Sequence, residues 1–446
     1  MKITTYINIA IGFTLVLSSS NSFAQEAVEL TLEQAVNQAI KNNWQVKKTE
    51  AKLGMAKSEL MQANGAFLPN INVSETYINT TDPLNVFGFR LKQAIVTNAD
   101  FNPALLNDPD AFDNFTTRIQ VEQPLLNFDA FVGRSAASAN VKATELNLQW
   151  TKNLISLKAK YLYFQLQLAN KQKEVLQLSS KALAEGLTIT ENFYEQNLIQ
   201  KVDLLDMQLR ISEIESHLLA TETQISNVNT QFAHFLGYPS ATQLSLSDEV
   251  QSFTEVNLTE LGVANIADRS DMKAMSLQLQ ASNRMLNSAK FKFLPRLNAF
   301  GSYEFNDDKV FGTNANNYML GARLEWDIFK GGRNLGEWQK MKHQKNMMQL
   351  NYDEKLSESE RELTQVRNQL RVAKKQVELA ALTVAQAEES FRLKSDRYEQ
   401  GLEKTADVLK AEAVLFSKKI NELQIINNYQ QLVFNLELLL EKEISK

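Results

Sequence analysis

The polar and apolar positions of this 446-residue chain follow two periods that replace one another at sharp boundaries. From Leu363 the apolar or small positions fall at Leu363, Val366, Leu370, Ala373, Val377, Ala380, Val384, Ala387 and Phe391, a strict alternation of three and four. An earlier segment repeats the device through Leu204, Met207, Ile211, Ile214, Leu218, Thr221, Ile225, Val228, Phe232 and Phe235. A repeat of 3.5 residues held over about four heptads imposes a left-handed supercoil, so these segments read as coiled-coil hairpins. The stretches Ala130–Gln196 and Arg333–Gln400 contain no proline. About 67 residues rising 1.5 Å each make a helix of roughly 100 Å, far longer than a compact domain requires.

The other period is two. NYMLGARLEWDIF places Tyr318, Leu320, Ala322, Leu324, Trp326 and Ile328 on one face and Gly321, Arg323, Glu325 and Asp327 on the other. FTTRIQVEQ sets Phe115, Thr117, Ile119 and Val121 against Arg118, Gln120 and Glu122. In FKFLPRLNAFGSYEF a helix-favouring stretch ends at Pro295 and emerges as alternation, and GAFLPNINVSETY does the same at Pro69. Proline disfavours helical conformation in the residue before it and cannot continue the helix, so each Phe-Leu-Pro site marks a helix-to-strand switch. Strands are expected at about 70–80, 115–126, 296–306 and 317–329.

These segments form an internal duplication. YEQNLIQKVDLLDMQ from Tyr194 and YEQGLEKTADVLKAE from Tyr398 lie 204 residues apart, and VEQPLLNFDA from Val121 and LEWDIFKGGR from Leu324 lie 203 apart. The Phe-Leu-Pro sites are separated by 226, so the first copy carries an insertion before its second strand. Residues 81–114, rich in Asn, Asp and Pro, read as a long loop. Each half runs helix, strand, loop, strand, long helix, turn, helix, giving repeats at 25–239 and 240–446. At the turns Asn197 and Gly401 are residue types that readily enter the left-handed region and end a helix. Asp203 and Asp407 follow six residues later, where an acid favours a helix restart.

Composition sharpens this picture. Only 15 Gly and 7 Pro in such a chain fit long, uninterrupted elements. The N-terminus combines Lys2, an apolar run from Ile7 to Leu17 and the small-x-small site Ser22-Phe23-Ala24, which reads as a signal peptide over 1–24. The run is shorter than the roughly 20 apolar residues of a spanning helix. Without cysteine the chain has neither disulfides nor a thioether lipid anchor. Removing Lys2 leaves 46 basic against 52 acidic residues, a balance that argues against nucleic acid as partner.

Strands with one apolar and one charged face over about ten residues suit a membrane strand bordering a wet lumen. A soluble sheet on a core would alternate similarly, but each strand pair here is enclosed between long helices and nothing else covers its apolar face. Four strands cannot close a barrel, and an open edge in lipid leaves unsatisfied backbone groups. Several chains must pool strands. Two would give eight, whose side chains nearly fill the interior, and three would give twelve with room for a lumen.

Over nearly the whole mature length the chain resembles the TolC-like outer membrane efflux proteins. The residues that carry this are LTLEQAVNQAIKNN, both Phe-Leu-Pro sites, DIFKGGR, ADRSDMKAMSLQLQ and RYEQGLEKTADVL, in order across two repeats. The resemblance implies a homotrimer in the outer membrane, with a twelve-stranded barrel and a periplasmic tunnel of coiled-coil helices. It further implies docking to a periplasmic adaptor and an inner-membrane pump that selects the substrate. Tyr398 and Asp407 match the family's periplasmic aperture. Glu403 and Lys410 stand where some relatives carry a basic residue and a second Asp, which implies a rearranged aperture. Asn197, Leu198, Asp203, Gly401 and Leu402 fall at the hairpin tips that would meet the adaptor. Pro69, Pro295, Gly331 and Gly332 fall at the junctions, although the first half has NFDAFVG where the family often shows paired glycines. Tyr318, Leu320, Leu324 and Trp326 are the expected lipid-facing residues.

Enzyme chemistry finds little support. His217 and His234 lie about 260° apart around one predicted helix and do not converge. There is no HExxH and no phosphate-binding glycine loop. No catalytic group, metal ligand or cofactor is expected. The competing reading is a soluble periplasmic coiled-coil or adaptor protein, for which the expected anchor and compact β-domain are absent from the pattern.

Overall fold

The structure, a computed structural model, describes residues 28–248, 265–442 and 444; the segment read as a signal peptide lies outside the described residues. The first repeat comprises β1 (Val28–Leu30), α1 (Leu32–Asn42), α2 (Trp44–Ala63), β2 (Asn70–Thr80), α3 (Pro83–Lys92), α4 (Pro103–Asn107), β3 (Phe112–Leu126), α5 (Phe128–Glu195) and α6 (Lys201–Leu236). After β4 (Leu244–Leu246), the second comprises α7 (Ser270–Phe291), β5 (Arg296–Asp307), β6 (Ala315–Glu325), α8 (Arg333–Glu399) and α9 (Thr405–Leu440).

The 3.5-residue seam becomes the core of the hairpins. All eight positions from Leu363 to Ala387 are buried along α8. The first five, Leu363 to Val377, pack with Met272 of α7 and with Tyr429, Val433 and Leu436 of α9. On α6, Met207, Ile214, Thr221 and Phe232 are buried, and the alternate positions are half-buried. Leu176 and Leu183 of α5 meet Met207 and Ile214, and Leu409 and Phe416 of α9 pack against the same cluster. The two hairpins therefore lie side by side over much of their length.

A four-stranded antiparallel sheet in the order β2-β3-β5-β6 joins the repeats through the β3–β5 pair. A separate parallel pair, β1 with β4, ties the start of the described chain to the segment after α6. No alternation predicts that pair, because three residues are too few to show a period.

The insertion is more ordered than the expected loop. It holds α3, α4 and a 3-10 turn, Asn98–Phe101, and β3 begins at Phe112. Both helices start with a capping side chain followed by proline: Asp82 Oδ2 accepts from Asn85 N–H at 3.1 Å, and Asn102 Oδ1 from Ala104 N–H at 3.0 Å. Proline at the first helical position is pre-set for the helix and lacks only an N–H that would be unpaired there.

Candidate functional site: four-stranded sheet, junctions and hairpin tips

Residues paired across antiparallel strands share a face. The registers align Ile71, Val73 and Tyr77 with Val121, Ile119 and Phe115, and these with Gly301, Tyr303 and Asp307. Leu297, Ala299, Gly301 and Tyr303 in turn oppose Leu324, Ala322, Leu320 and Tyr318. One face is thus apolar across all four strands, with Glu75 and Asp307 as acids toward the end farther from the long helices. Glu75 accepts from the Thr117 hydroxyl and, at 3.2 Å, from Phe311 N–H in the β5–β6 turn. The opposite face carries Asn72, Gln120, Arg118, Ser302, Glu304 and Arg323, and Arg118 Nη2 meets Glu304 Oε1 at 2.7 Å. Glycine recurs where a large side chain crosses a strand. A Cβ on Gly301 would come within 2.8 Å of Leu320 Cδ2, and one on Gly321 within 2.6 Å of Phe300 Cζ.

The Phe-Leu-Pro junctions are built twice with the same bonds. Phe67 and Leu68 N–H donate to Asn64 and Gly65 carbonyls, and Phe293 and Leu294 N–H to Lys290 and Phe291 carbonyls. Each helix tightens by three-residue turns before Pro69 or Pro295 releases the chain into a strand. The freed carbonyl of the phenylalanine is then bound by a side chain at the end of the second strand of the same repeat. Gln123 Nε2 donates to Phe67 O at 3.1 Å, and Trp326 Nε1 to Phe293 O at 3.0 Å. Gln123 and Trp326 are 203 residues apart and so occupy equivalent places in the duplication.

This contact corrects the second strand. β6 ends at Glu325, not near 329, so Trp326 lies just past the ladder as a junction residue and Ile328 leaves the strand face. Leu324 becomes the penultimate strand residue, whereas Leu320 stays central. Gly331 and Gly332 then take φ of 59° and 78°, a backbone that L side chains rarely adopt, and Gly332 caps α8. The first half needs no such turn. Asn127 has φ of −126°, and Asp129 in the first turn of α5 binds Arg296 Nη2 at 2.5 Å. Asp129 thus stands at the place that Gly332 holds in the second half, 203 residues on, and no residue of NFDAFVG takes a positive φ.

At the opposite end of the long helices both hairpin tips close identically. Asn197 and Gly401 have φ of 57° and 72°. Asn197 and Leu198 N–H donate to Tyr194 and Phe193 carbonyls; Gly401 and Leu402 N–H donate to Tyr398 and Arg397 carbonyls. This is the double bond pattern of a left-handed helix stop. Leu198 and Leu402 are left 65% and 63% exposed.

The side chains differ. Tyr398, expected at an aperture lining, is 2% exposed in the single chain. Its hydroxyl lies 2.8 Å from Thr190 Oγ1 of α5 and 3.2 Å from Thr405 Oγ1 of α9, and its ring packs edge-on to Phe193. It therefore fastens one hairpin tip to the other. Glu403 pairs with Arg397 at 3.2 Å. Asp203 accepts from Gln200 N–H at 3.0 Å and completes a capping box at the start of α6. Among the described residues Asp407 forms no corresponding box. Lys410 is exposed.

Two further polar clusters had no assigned role in the sequence. Glu412 of α9 is buried and accepts from Arg210 Nε of α6 at 2.7 Å and from the Ser179 hydroxyl of α5. Burial opposes the Arg210 charge, but hydrogen bonds to Glu412 and Glu213 outweigh it and raise the guanidinium above its ordinary pKa. In the ADRSDM segment, buried Arg269 forks onto Asp271 at 2.6 and 2.8 Å and donates to Ser359 of α8 at 2.9 Å. Its guanidinium lies over Trp150 of α5. This segment fixes where α7 enters the bundle.

A family model described as "Outer membrane efflux protein" matches residues 35–237 and 263–441. The chain belongs to that family. It is 17% identical over 319 residues to the alkaline protease secretion protein AprF of Pseudomonas aeruginosa, covering 70% of this chain and 66% of AprF. It is 25% identical over 174 residues to the toluene efflux pump outer membrane protein TtgI of Pseudomonas putida, covering 37% of each. The chain thus spans two thirds or less of these curated relatives. Among solved structures the Campylobacter jejuni CmeC outer membrane channel superposes with a TM-score of 0.79 at 15% identity, over 93% of this chain and 86% of CmeC. The Vibrio cholerae outer membrane protein VceC gives 0.76 at 18%, over 92% and 94%. The fold of this efflux-family chain is that of outer membrane channels: mainly helical, with a small sheet that stays open in the single chain.

Proposed function

We propose that three copies of this chain pool their sheets into a twelve-stranded barrel in the outer membrane of a Gram-negative bacterium, continued into the periplasm by a duct of long hairpins. The duct passively conducts substrates that an inner-membrane pump delivers through a periplasmic adaptor. One observation carries this reading: the sheet is apolar on one face and polar on the other, in register across four strands, while β2 and β6 each keep one edge unpaired. An open edge is costly in lipid and is removed when β6 of one chain pairs with β2 of the next. Tyr318, Leu320 and Leu324 then face lipid, and Arg118, Glu304 and Arg323 face a wet lumen.

On this reading the first 24 residues are an export signal, and the two repeats supply one hairpin each to the duct. Exposed Leu198 and Leu402 at the tips meet the adaptor's own helical surface. Asp407, joined by its two symmetry mates, rings the narrow periplasmic mouth. The test is membrane fractionation with heated and unheated gel lanes, followed by single-channel recording. The expected result is an outer-membrane oligomer three times the chain mass that conducts in a planar bilayer. A soluble periplasmic monomer would overturn the proposal in favour of a coiled-coil structural or adaptor protein.

A further inference from the structure

The two places where the sheet meets the helices differ in charge. Along the 226- and 203-residue offsets of the duplication, Lys292, Arg296, Lys330 and Arg333 of the second repeat stand where the first has Ala66, Asn70, Asn127 and Ala130. The helix-to-strand bonds are the same in both copies and use no charged side chain. In the first copy Phe131 stacks on Phe67 at 4.6 Å. Asn334 takes the place of Phe131 in the second, beside a cavity of about 220 Å³ that the four cations line together with Asp327 and Glu337.

Three of these cations are neutralised. Lys292 Nζ meets Glu337 Oε1 at 2.6 Å, Lys330 pairs with Asp327, and Arg296 Nη2 meets Asp129 Oδ2 at 2.5 Å. Arg333 is exposed and pairs with no carboxylate among the described residues; its Nε, donating to Lys330 O at 3.4 Å, holds it beside the cavity. The cavity thus keeps one uncompensated positive charge. It has room for a tetrahedral oxyanion with several waters, which take about 30 Å³ each.

The loop that walls the cavity also carries apolar side chains. Ile328 and Phe329, between Asp327 and Lys330, are 81% and 84% exposed, and Trp326 continues the apolar face just past the end of β6. On the three-chain barrel reading this level is the boundary of the leaflet that faces the periplasm, where tryptophan rings sit among headgroups and basic side chains attract anionic lipid. We propose that the cavity holds the phosphate of an anionic phospholipid whose acyl chains lie along Trp326, Ile328 and Phe329. The inference rests on the barrel proposed above. A guanidinium with free Nη groups meets phosphate oxygens in a two-pronged contact, and a headgroup with one net negative charge matches the one spare cation. A zwitterionic headgroup cancels its own phosphate charge and gains less. Each chain carries one such site, built by the second repeat alone.

The test is native mass spectrometry of the full-length trimer, purified from outer membranes into mixed micelles with equal amounts of phosphatidylglycerol and phosphatidylcholine. Wild type is expected to retain one phosphatidylglycerol per chain. Its preference over phosphatidylcholine should be about fivefold, the factor that corresponds to about 1 kcal/mol for one basic residue at a membrane surface. Arg333→Gln is expected to lose that preference and Arg333→Lys to keep most of it. Lys340→Gln, the same charge change at another exposed position of α8, should leave it unchanged. Equal retention of the two lipids by wild type, or the same preference in wild type and Arg333→Gln, overturns the headgroup site and leaves the channel reading standing. So does release of phosphatidylglycerol by excess inorganic phosphate, which would mark a site for free anions in solution. A wild-type protein that forms no trimer overturns both.

Discussion

The two hairpin tips have one backbone and two chemistries. Asn197 and Gly401 end their helices with the same left-handed residue and the same pair of hydrogen bonds, 204 residues apart. In the first tip the acid is consumed locally, because Asp203 caps its own helix. In the second, Tyr398 and Glu412 reach across to the first hairpin, and Asp407 forms no such box. Backbone geometry is what duplication preserved, and side-chain use is where the copies diverged. The acid of the first tip serves its own helix, whereas the second hairpin contributes Tyr398 and Glu412 to the contact between the two.

The sharpest way to break this contrast is to cut the deeper fastening. Position 412 is buried on α9, while its equivalent, Gln208 on α6, is exposed. Glu412→Ala leaves the largely buried Arg210 guanidinium with only Glu213, which is exposed, as a partner, at a cost of about 3 kcal/mol, the lower end for a broken buried pair. Arg210→Met/Glu412→Leu removes both charges and should recover most of that loss. The midpoint of unfolding in detergent, followed by circular dichroism, distinguishes them. Equal loss in the single and double variants would mean that packing, not the charge pair, joins the hairpins.

The membrane end offers the next effect. Because β6 ends at Glu325, the positions proposed to face lipid are no longer equivalent: Leu320 is central and Leu324 lies beside the junction. Arginine at Leu320 should cost about 2 to 4 kcal/mol and at Leu324 about 0 to 1, while Met319→Arg, on the other face, is tolerated. Assembly yield in outer membranes ranks the three. Equal yields for Leu320→Arg and Met319→Arg would dissolve the assignment of faces.

A smaller effect separates the tip backbones themselves. Gly401→Val forces a branched side chain into the left-handed region, which costs about 1 to 2 kcal/mol. Asn197→Gly places the most permissive residue at the same φ and should be close to neutral. Amide exchange reports both: Leu402 N–H should exchange roughly 5- to 30-fold faster in the first variant, by the relation of 1.4 kcal/mol to a factor of ten, and Leu198 N–H should be unchanged in the second. Equal acceleration would show that the stop geometry does not hold these amides.

Periodicity made the long elements legible. The seam from Leu363 to Ala387 reports burial directly, because 3.5-residue spacing has no other stable use, and proline after Phe-Leu marks both helix-to-strand switches. Short elements were not legible for the converse reason. Val28–Leu30 and Leu244–Leu246 pair over only three residues each. The caps Asp82-Pro83 and Asn102-Pro103 did carry a local signal for helices inside the insertion, hidden by its loop-like composition. Extending the 203-residue echo to Gln123 and Trp326 would have drawn Trp326 to the junction. Tyr398 is different in kind, since Thr190 is 208 residues away and only the tertiary structure brings them together.

The last prediction sets the two acids against each other. Asp203→Asn weakens the capping box and removes a negative charge from a helix N-terminus, worth about 0.3 to 1 kcal/mol. Asp407→Asn changes a residue without that box, so its effect on stability should be smaller. In the proposed trimer three Asp407 carboxylates surround one axis and concentrate negative potential at the narrowest point, which favours cations. Glu403 adds little to that ring, since Arg397 already pairs with it, and Lys410, one turn further along α9, opposes it. Multivalent cations should therefore reduce conductance of the wild type and of Asp203→Asn but not of Asp407→Asn. Lys410→Ala should strengthen the block. Identical block in all four proteins would reduce Asp407 to a helix-start residue and make the two tips functionally alike after all.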